Sequence, residues 1–145
     1  MNIETLKQTA KAMVAEGKGI LAADESSVTC KKRFDRVNVE CTEDNRRAYR
    51  QTLFTAVGLE AYISGVILHD ETIRQKGADG KRLAEILSEK GILPGIKVVG
   101  GLKNLALHGE EKITEGLDGL RERLAEYKTL GAKFAKWRAV ITIGE

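Results

Sequence analysis

Residues 19–24 read GILAAD, an apolar run of strand length that ends in a carboxylate. A continuous apolar run of this kind is typical of a strand buried on both faces of a parallel sheet. Far along the chain, residues 134–140 read FAKWRAV and place Lys136 and Arg138 inside a second such run. Charge in a buried strand is costly unless it is paired or used on a ligand. Together with Asp24, these two cations predict a site for an anionic substrate at the ends of the strands.

The composition is that of one ordinary globular domain. The 145 residues are 42% hydrophobic and 31% charged, and a net charge of +3 comes from 24 basic and 21 acidic residues. This balance predicts neither nucleic-acid binding nor a polybasic membrane patch. No apolar stretch has membrane-spanning length and no signal peptide is indicated, so we expect a cytoplasmic protein. Cys30 and Cys41 lack metal-ligand spacing and are interpreted as free thiols, and no metal or cofactor is predicted.

Helical and strand patterns alternate from end to end. Strands are predicted at residues 19–25, 63–68, 95–99 and 134–140, with an amphipathic helix before the first and between the others. Thr42, which precedes two acidic residues, is a predicted helix N-cap. The order, a helix and then β-α-β-α-β-α-β, predicts a parallel α/β sheet with right-handed crossovers. Four strands are half of the eight that close a barrel.

The two-residue period of a strand places Lys136 and Arg138 on one face and Trp137 on the other, apolar face. Lys97 lies in another predicted parallel strand. Two lysines on separate strands predict phosphate binding, because two cations need an anion between them. The alternatives are a strand-end ion pair for Lys136 and Arg138, and a solvated strand end for Lys97. We expect Lys97, Lys136 and Asp24 to converge at the C-terminal edge of the sheet.

The remaining polar residues have more than one interpretation. Asp24 suits a general base or an acceptor for substrate hydroxyls, or alternatively a cap for the next segment, where Ser26 and Thr29 are also local hydrogen-bonders. His69 and His108 have no partner at metal-ligand or triad spacing. Three arginines at positions 46, 47 and 50 are interpreted as a solvated helix face with neighbouring acids.

Six motifs follow one another in an order and spacing that resemble a known family, the class I (Schiff-base) fructose-bisphosphate aldolases. They are GKGILAADES at 17–26, NRRAYR at 45–50, SGVIL at 64–68, GIKV at 95–98, EGLDGL at 115–120 and AKWR at 135–138. The resemblance covers all 145 residues and implies the N-terminal half of a TIM barrel, with the site at the C-terminal ends of its strands. It also implies reversible cleavage of fructose 1,6-bisphosphate to dihydroxyacetone phosphate and glyceraldehyde 3-phosphate, in glycolysis or gluconeogenesis.

The resemblance implies a role for each matching residue. Asp24 contacts substrate hydroxyls near the bond that breaks and assists proton transfer. Lys136 stabilises charge and orients the region of the C4 hydroxyl, with Arg138 supporting it. The other matches lie at substrate and phosphate positions: Ser26, Thr29 and Lys97 around the phosphate distal to the Schiff base, Arg33 as a phosphate-site arginine, and Arg46 as a substrate-binding position.

The chain also departs from the family pattern. Val28 replaces a glycine in a phosphate-cradling turn, Val99 replaces an acid near Lys97, and His69 stands where an aromatic residue is common. The family's glutamate acid/base and its Schiff-base lysine, in a Glu-Gly-x-Leu-Leu-Lys-Pro-Asn context, have no counterpart in these 145 residues. Covalent catalysis needs that amine, so we expect the chain alone to be inactive.

Two alternatives stay open. One is a non-catalytic α/β half-barrel that binds sugar phosphate or assembles with itself, and the other is a weak retro-aldol or phosphate-binding relic that uses Lys136. The predicted partners are fructose 1,6-bisphosphate or triose phosphates. Self-association is also predicted, because strands one and four of a half-barrel would present unpaired backbone groups.

Overall fold

Six short strands form two separate sheets in the computed structural model, which describes residues 2–143. Their bounds are β1 Gly19–Ala23, β2 Ile63–Leu68, β3 Leu93–Lys97, β4 Gly101–Asn104, β5 Lys112–Glu115 and β6 Phe134–Lys136. A parallel sheet has the order β1-β2-β3-β6, and β4 and β5 form an antiparallel hairpin. The four-stranded parallel α/β sheet predicted from the sequence is therefore confirmed.

Seven α-helices accompany the strands in the described residues. They are α1 Ile3–Met13, α2 Ser27–Phe34, α3 Glu43–Phe54, α4 Leu59–Tyr62, α5 Asp70–Arg74, α6 Leu83–Glu89 and α7 Leu120–Thr129. The predicted N-cap of α3 is confirmed, since the side chain of Thr42 accepts a hydrogen bond from the Asn45 amide at 3.1 Å. Gly131, which follows α7, has a φ of 102°, a left-handed conformation that glycine adopts without steric cost.

The structure differs from the sequence predictions in three places. The β4–β5 hairpin was not predicted. Strand β3 begins at Leu93, so that Pro94 lies within the strand and not before it, and the carbonyl of Pro94 accepts a hydrogen bond from the Lys133 amide at 2.8 Å. Strand β6 ends at Lys136 and does not continue to Val140. Its neighbour β3 ends at the facing residue, Lys97, and a strand cannot extend a ladder beyond its partner.

The hydrophobic core lies between the first three strands of the parallel sheet and the helices that follow them. Its members include residues from β2, β3, α3, α5 and α6: Val66, Leu68, Ile96, Phe54, Ile73, Leu83 and Leu87. Helix α1 contributes no buried residue. The core therefore holds β1, β2 and β3 in register, and those strands fix where the polar residues at their C-terminal ends meet.

Two further observations concern the chain as a whole. Cys30 is buried, Cys41 is partly exposed, and both are free thiols as predicted. None of the helices within residues 2–143 has the length and apolar character needed to span a lipid bilayer.

Candidate functional site

Three strands deliver one charged residue each to the same point. Asp24 follows the last residue of β1, while Lys97 and Lys136 end β3 and β6 and face each other in the parallel ladder. The carboxylate Oδ2 of Asp24 lies 2.9 Å from Nζ of Lys136 and 3.9 Å from Nζ of Lys97. The Lys97 ammonium also donates a hydrogen bond to the backbone carbonyl of Asp24. The predicted convergence of these residues at the C-terminal edge of the sheet is thus confirmed.

The three charged residues line a cavity of about 490 Å³. Six of the residues singled out from the sequence share its wall: Asp24, Ser26, Thr29, Lys97, Lys136 and Arg138. The side chains of Asp24 and Lys97 are only 13% and 19% exposed, so their charges interact through a medium that water screens incompletely. Such a pocket offers ammonium donors to an anion and a carboxylate acceptor to a hydroxyl.

The segment between β1 and α2 combines capping with access to the cavity. The hydroxyl of Ser26 accepts a hydrogen bond from the Thr29 amide at 3.4 Å and lies 3.3 Å from the Thr29 hydroxyl. The N-cap of α2 is therefore Ser26 and not Asp24, and all three of these residues line the cavity. Val28 is exposed in the first turn of α2, so the helix accommodates its β-branched side chain.

Glu25 is anchored from behind the cavity by two arginines. Nη2 of Arg50 donates to the Glu25 carbonyl at 3.0 Å and lies 2.8 Å from its carboxylate. Arg33 pairs with the other carboxylate oxygen and donates to the Tyr49 hydroxyl at 3.1 Å. Arg33 is thus engaged by Glu25 and is not part of the wall formed by the six residues above.

Arg50, which holds the cavity-lining residue Glu25 in place, is the buried arginine that sequence reasoning missed. Its side chain is 2% exposed, so its assignment to a solvated helix face is wrong. The pattern of a helix does not show that Arg50 pairs with Glu25, which lies 25 residues earlier in the chain, just after β1. The available signal was the position of Arg50 four residues before the buried Phe54, on the same face of α3.

Arg46 also points away from the main cavity. Its guanidinium donates two hydrogen bonds to the carboxylate of Glu71, at 2.6 and 2.8 Å, and a third to the Cys41 carbonyl at 2.8 Å. The bond from Arg46 lowers the pKa of Glu71 below its usual value. Arg46 lines a separate cavity of about 220 Å³ with Val28 and Cys41. Of the eight predicted site residues, the fold brings six together and places Arg33 and Arg46 elsewhere.

Burial and charge both act on the basic groups of the main cavity. Burial lowers the pKa of Lys97, an effect that Asp24 opposes and that Lys136 and Arg50 reinforce. Burial also lowers the pKa of His69, which lines the same cavity, and the Lys97 ammonium adds to that effect. Within residues 2–143 no group of three His, Cys, Asp or Glu side chains could hold a metal ion. The arrangement is suited to binding an anion that also carries hydroxyl groups.

Comparison with known proteins decides the family. The family model for fructose-bisphosphate aldolase class-I matches residues 5–145. The chain belongs to the class-I fructose-bisphosphate aldolases. It is 61% identical over 145 residues to a probable fructose-bisphosphate aldolase class 1 of Xanthomonas campestris, and 54% identical over 140 residues to fructose-bisphosphate aldolase 2 of Plasmodium berghei. In these matches the aligned residues are 100% and 97% of this chain, but 43% and 38% of the relatives.

A solved aldolase has the same fold over the matched region. The Plasmodium falciparum fructose-bisphosphate aldolase, solved in complex with TRAP and a small-molecule inhibitor, superposes with a TM-score of 0.94 and 52% identity. The match covers 97% of this chain and 41% of that one. The four-stranded sheet is therefore a fragment of an aldolase TIM barrel, as the resemblance implied.

Proposed function

We propose that this chain supplies the half of an aldolase barrel that binds the sugar phosphate around the bond to be cleaved. The whole reaction is the reversible cleavage of fructose 1,6-bisphosphate to dihydroxyacetone phosphate and glyceraldehyde 3-phosphate. One observation supports the proposal above the others: a single carboxylate, Asp24, joins lysines from two separate strands inside one cavity.

The chemistry of each group fits that role. Retro-aldol cleavage requires the C4 hydroxyl to lose its proton while the bond between C3 and C4 breaks. The carboxylate of Asp24 is an acceptor within reach of a substrate hydroxyl in the cavity, and the ammonium of Lys136 can stabilise negative charge on the C4 oxygen. Lys97, Ser26 and Thr29 offer donors to a phosphate, and Arg138 lines the same cavity.

Binding is tested by calorimetric titration with fructose 1,6-bisphosphate. We expect saturable binding that Lys136→Met weakens about tenfold or more, as the loss of a charge-assisted hydrogen bond predicts. Lys133→Met is the matched control, because Lys133 is an exposed lysine of the same segment that does not line the cavity. Equal affinity of the two variants would contradict the proposed site.

We further propose that a polypeptide of these 145 residues does not turn the substrate over. The Schiff-base lysine motif of the family does not occur in the sequence, and Lys97 and Lys136 match non-covalent positions. Borohydride treatment in the presence of dihydroxyacetone phosphate is therefore expected to leave the protein mass unchanged. A stable adduct on Lys97 or Lys136 would instead favour the weak retro-aldol activity that the sequence left open.

Self-association is the second candidate property, and the two edge strands of the parallel sheet favour it. Within residues 2–143, β1 and β6 each pair with one strand only. A second copy could place its β6 beside β1 and its β1 beside β6, giving the eight parallel strands that close a barrel. Sedimentation velocity of the purified chain is expected to give a dimer. A monomer that unfolds cooperatively, with no dependence on concentration, would contradict this.

A further inference from the structure

His69 lies in the main cavity at a point where it has no assigned role. It occupies the junction between β2 and α5, is half-buried, and lines the cavity with Lys97, Asp24 and Lys136. Its Nδ1 accepts a hydrogen bond from the Glu71 amide at 3.4 Å. The neutral ring therefore carries its proton on Nε2, which makes no hydrogen bond to any residue between 2 and 143. One free donor is thus available beside the cavity.

The neighbouring carboxylates are occupied by other partners. Asp70 accepts hydrogen bonds from Arg74 at 2.9 Å and from the Tyr127 hydroxyl at 2.9 Å. Glu71 accepts two from Arg46. The acids next to His69 in sequence are therefore already neutralised, and neither accepts a hydrogen bond from the imidazole.

The four charges facing His69 come from three elements of the fold, β3, α3 and α5. Burial disfavours a charged ring most strongly, and Lys97 of β3 and Arg50 of α3 act in the same direction, while Glu71 and Asp70 of α5 oppose them. The ring is therefore neutral in the empty cavity near neutral pH. An anion of charge −2 placed against Lys97 would reverse that balance, since it adds two negative charges to a wall that His69 shares.

We propose that His69 is an anion-binding residue of the cavity and that its imidazole takes up a proton when a dianion, such as a phosphate monoester, binds beside Lys97. This inference rests on the proposed function, because it assumes that the cavity binds an anion. By linkage, proton uptake on binding means that the dianion binds more tightly as the pH falls. The histidine thus makes the site of this chain responsive to pH, which an aromatic hydrocarbon at the same position would not do.

The test uses sulfate, whose charge stays at −2 throughout the titration, so that only the protein contributes to the proton balance. The chain contains two histidines, His69 and His108. Their ring protons are followed by NMR from pH 8 to pH 5, about the range over which histidine titrates, with and without saturating sulfate. We expect the His69 midpoint to move to higher pH with sulfate and that of His108, which does not line the cavity, to stay in place.

Two variants independently measure the coupling between sulfate binding and proton uptake by His69. Sulfate affinity of the unaltered chain is expected to rise on the order of fivefold from pH 8 to pH 5. His69→Phe should remove most of that rise, and His108→Phe should retain it. The NMR measurement needs no variant, so the inference stays testable if His69→Phe does not fold.

The possible results separate the two proposals. Binding of sulfate with an unchanged His69 midpoint, or an equal pH dependence in His69→Phe and the unaltered chain, would overturn the inference and leave the proposed function standing. If sulfate does not bind at any pH, or if Lys97→Met and Lys136→Met leave its affinity unchanged, the anion site is overturned, and with it the role of His69.

Discussion

Two regions of the molecule differ in how completely they are packed. The packed side consists of β1, β2 and β3 with helices α3, α5 and α6, and the open side consists of β6 and α1. Strands β1, β2 and β3 and helices α3, α5 and α6 together contain ten of the thirteen buried residues of the hydrophobic core. On the other side, β6 has three residues, none of them buried, and α1 has no buried residue at all. The site lies between these regions: Asp24 and Lys97 come from the packed side and Lys136 from the open one. The carboxylate thus follows a strand that ends in the buried Ala23, whereas the second lysine ends a strand that has no buried residue.

The largest expected effect tests the packed side at the buried ion pair. Replacing Arg50 by Met leaves the carboxylate of Glu25, which is 9% exposed, with Arg33 as its one ion-pair partner and a 3.5 Å hydrogen bond from the Tyr49 hydroxyl. Breaking a buried pair costs about 3–5 kcal/mol in the free energy of unfolding. Arg47→Met is the matched control on the same helix, where Arg47 pairs with the exposed Asp44 and about 1 kcal/mol or less is expected.

Urea denaturation measures both variants. Equal destabilisation by Arg50→Met and Arg47→Met would show that Arg50 does not anchor the chain at Glu25, next to Asp24. It would also contradict the account of how the packed side is stabilised.

A smaller effect comes from matched leucines in two helices. Leu87 of α6 is fully buried, whereas Leu6 of α1 is 54% exposed. Leu87→Ala is expected to lower the free energy of unfolding by about 2–5 kcal/mol. Leu6→Ala is expected to change it by about 0.5 kcal/mol or less. A large cost at Leu6 that grows with protein concentration would mean that a second copy covers α1.

The sequence predicted the packed side better than the open one. Strand β2 was predicted with its exact bounds, because residues 63–68 are a continuous apolar run. The convergence of Asp24 with Lys97 followed from a general rule, that parallel strands share their C-terminal edge. The pairing of Arg50 with Glu25 was not predictable, since Glu25 comes from a distant segment; the helical pattern signalled only that Arg50 shares a face with Phe54.

Two other differences between the structure and the sequence predictions, at β6 and at the β4–β5 hairpin, have physical reasons. Strand β6 is shorter than its apolar pattern because its neighbour β3 ends at Lys97, and the length of a neighbour is a tertiary property. The β4–β5 hairpin was missed because each of its strands has four mostly exposed residues, which leaves no strong apolar alternation to detect.

The smallest of these effects on stability depends on pH and tests how α3 is joined to α5. The two hydrogen bonds from Arg46 keep the pKa of Glu71 below its usual value in the folded protein. Their stabilisation is therefore complete above the unfolded value, about 4.3, and is lost as the pH falls through the lower folded value. At neutral pH, Glu71→Gln is expected to cost about 1.5–3 kcal/mol.

Urea denaturation at a series of pH values measures this contribution. The difference between Glu71→Gln and the unaltered chain should shrink below about pH 4, where the glutamate becomes protonated. Glu89→Gln, at an exposed pair with Lys81, is the control and should have little effect at any pH. A difference that stays constant into acid would contradict the ion-pair account.

The central claim is that lysines from the packed and the open side form one ligand site through Asp24. A double-mutant cycle on the dissociation constant for fructose 1,6-bisphosphate tests it most directly, with Lys97→Met, Lys136→Met and the double variant. The account predicts that each single change weakens binding and that the two effects are not additive, with an interaction energy of about 0.5–3 kcal/mol. Additive losses, or no loss at one of the two lysines, would show that they do not serve the same ligand and would contradict the claim.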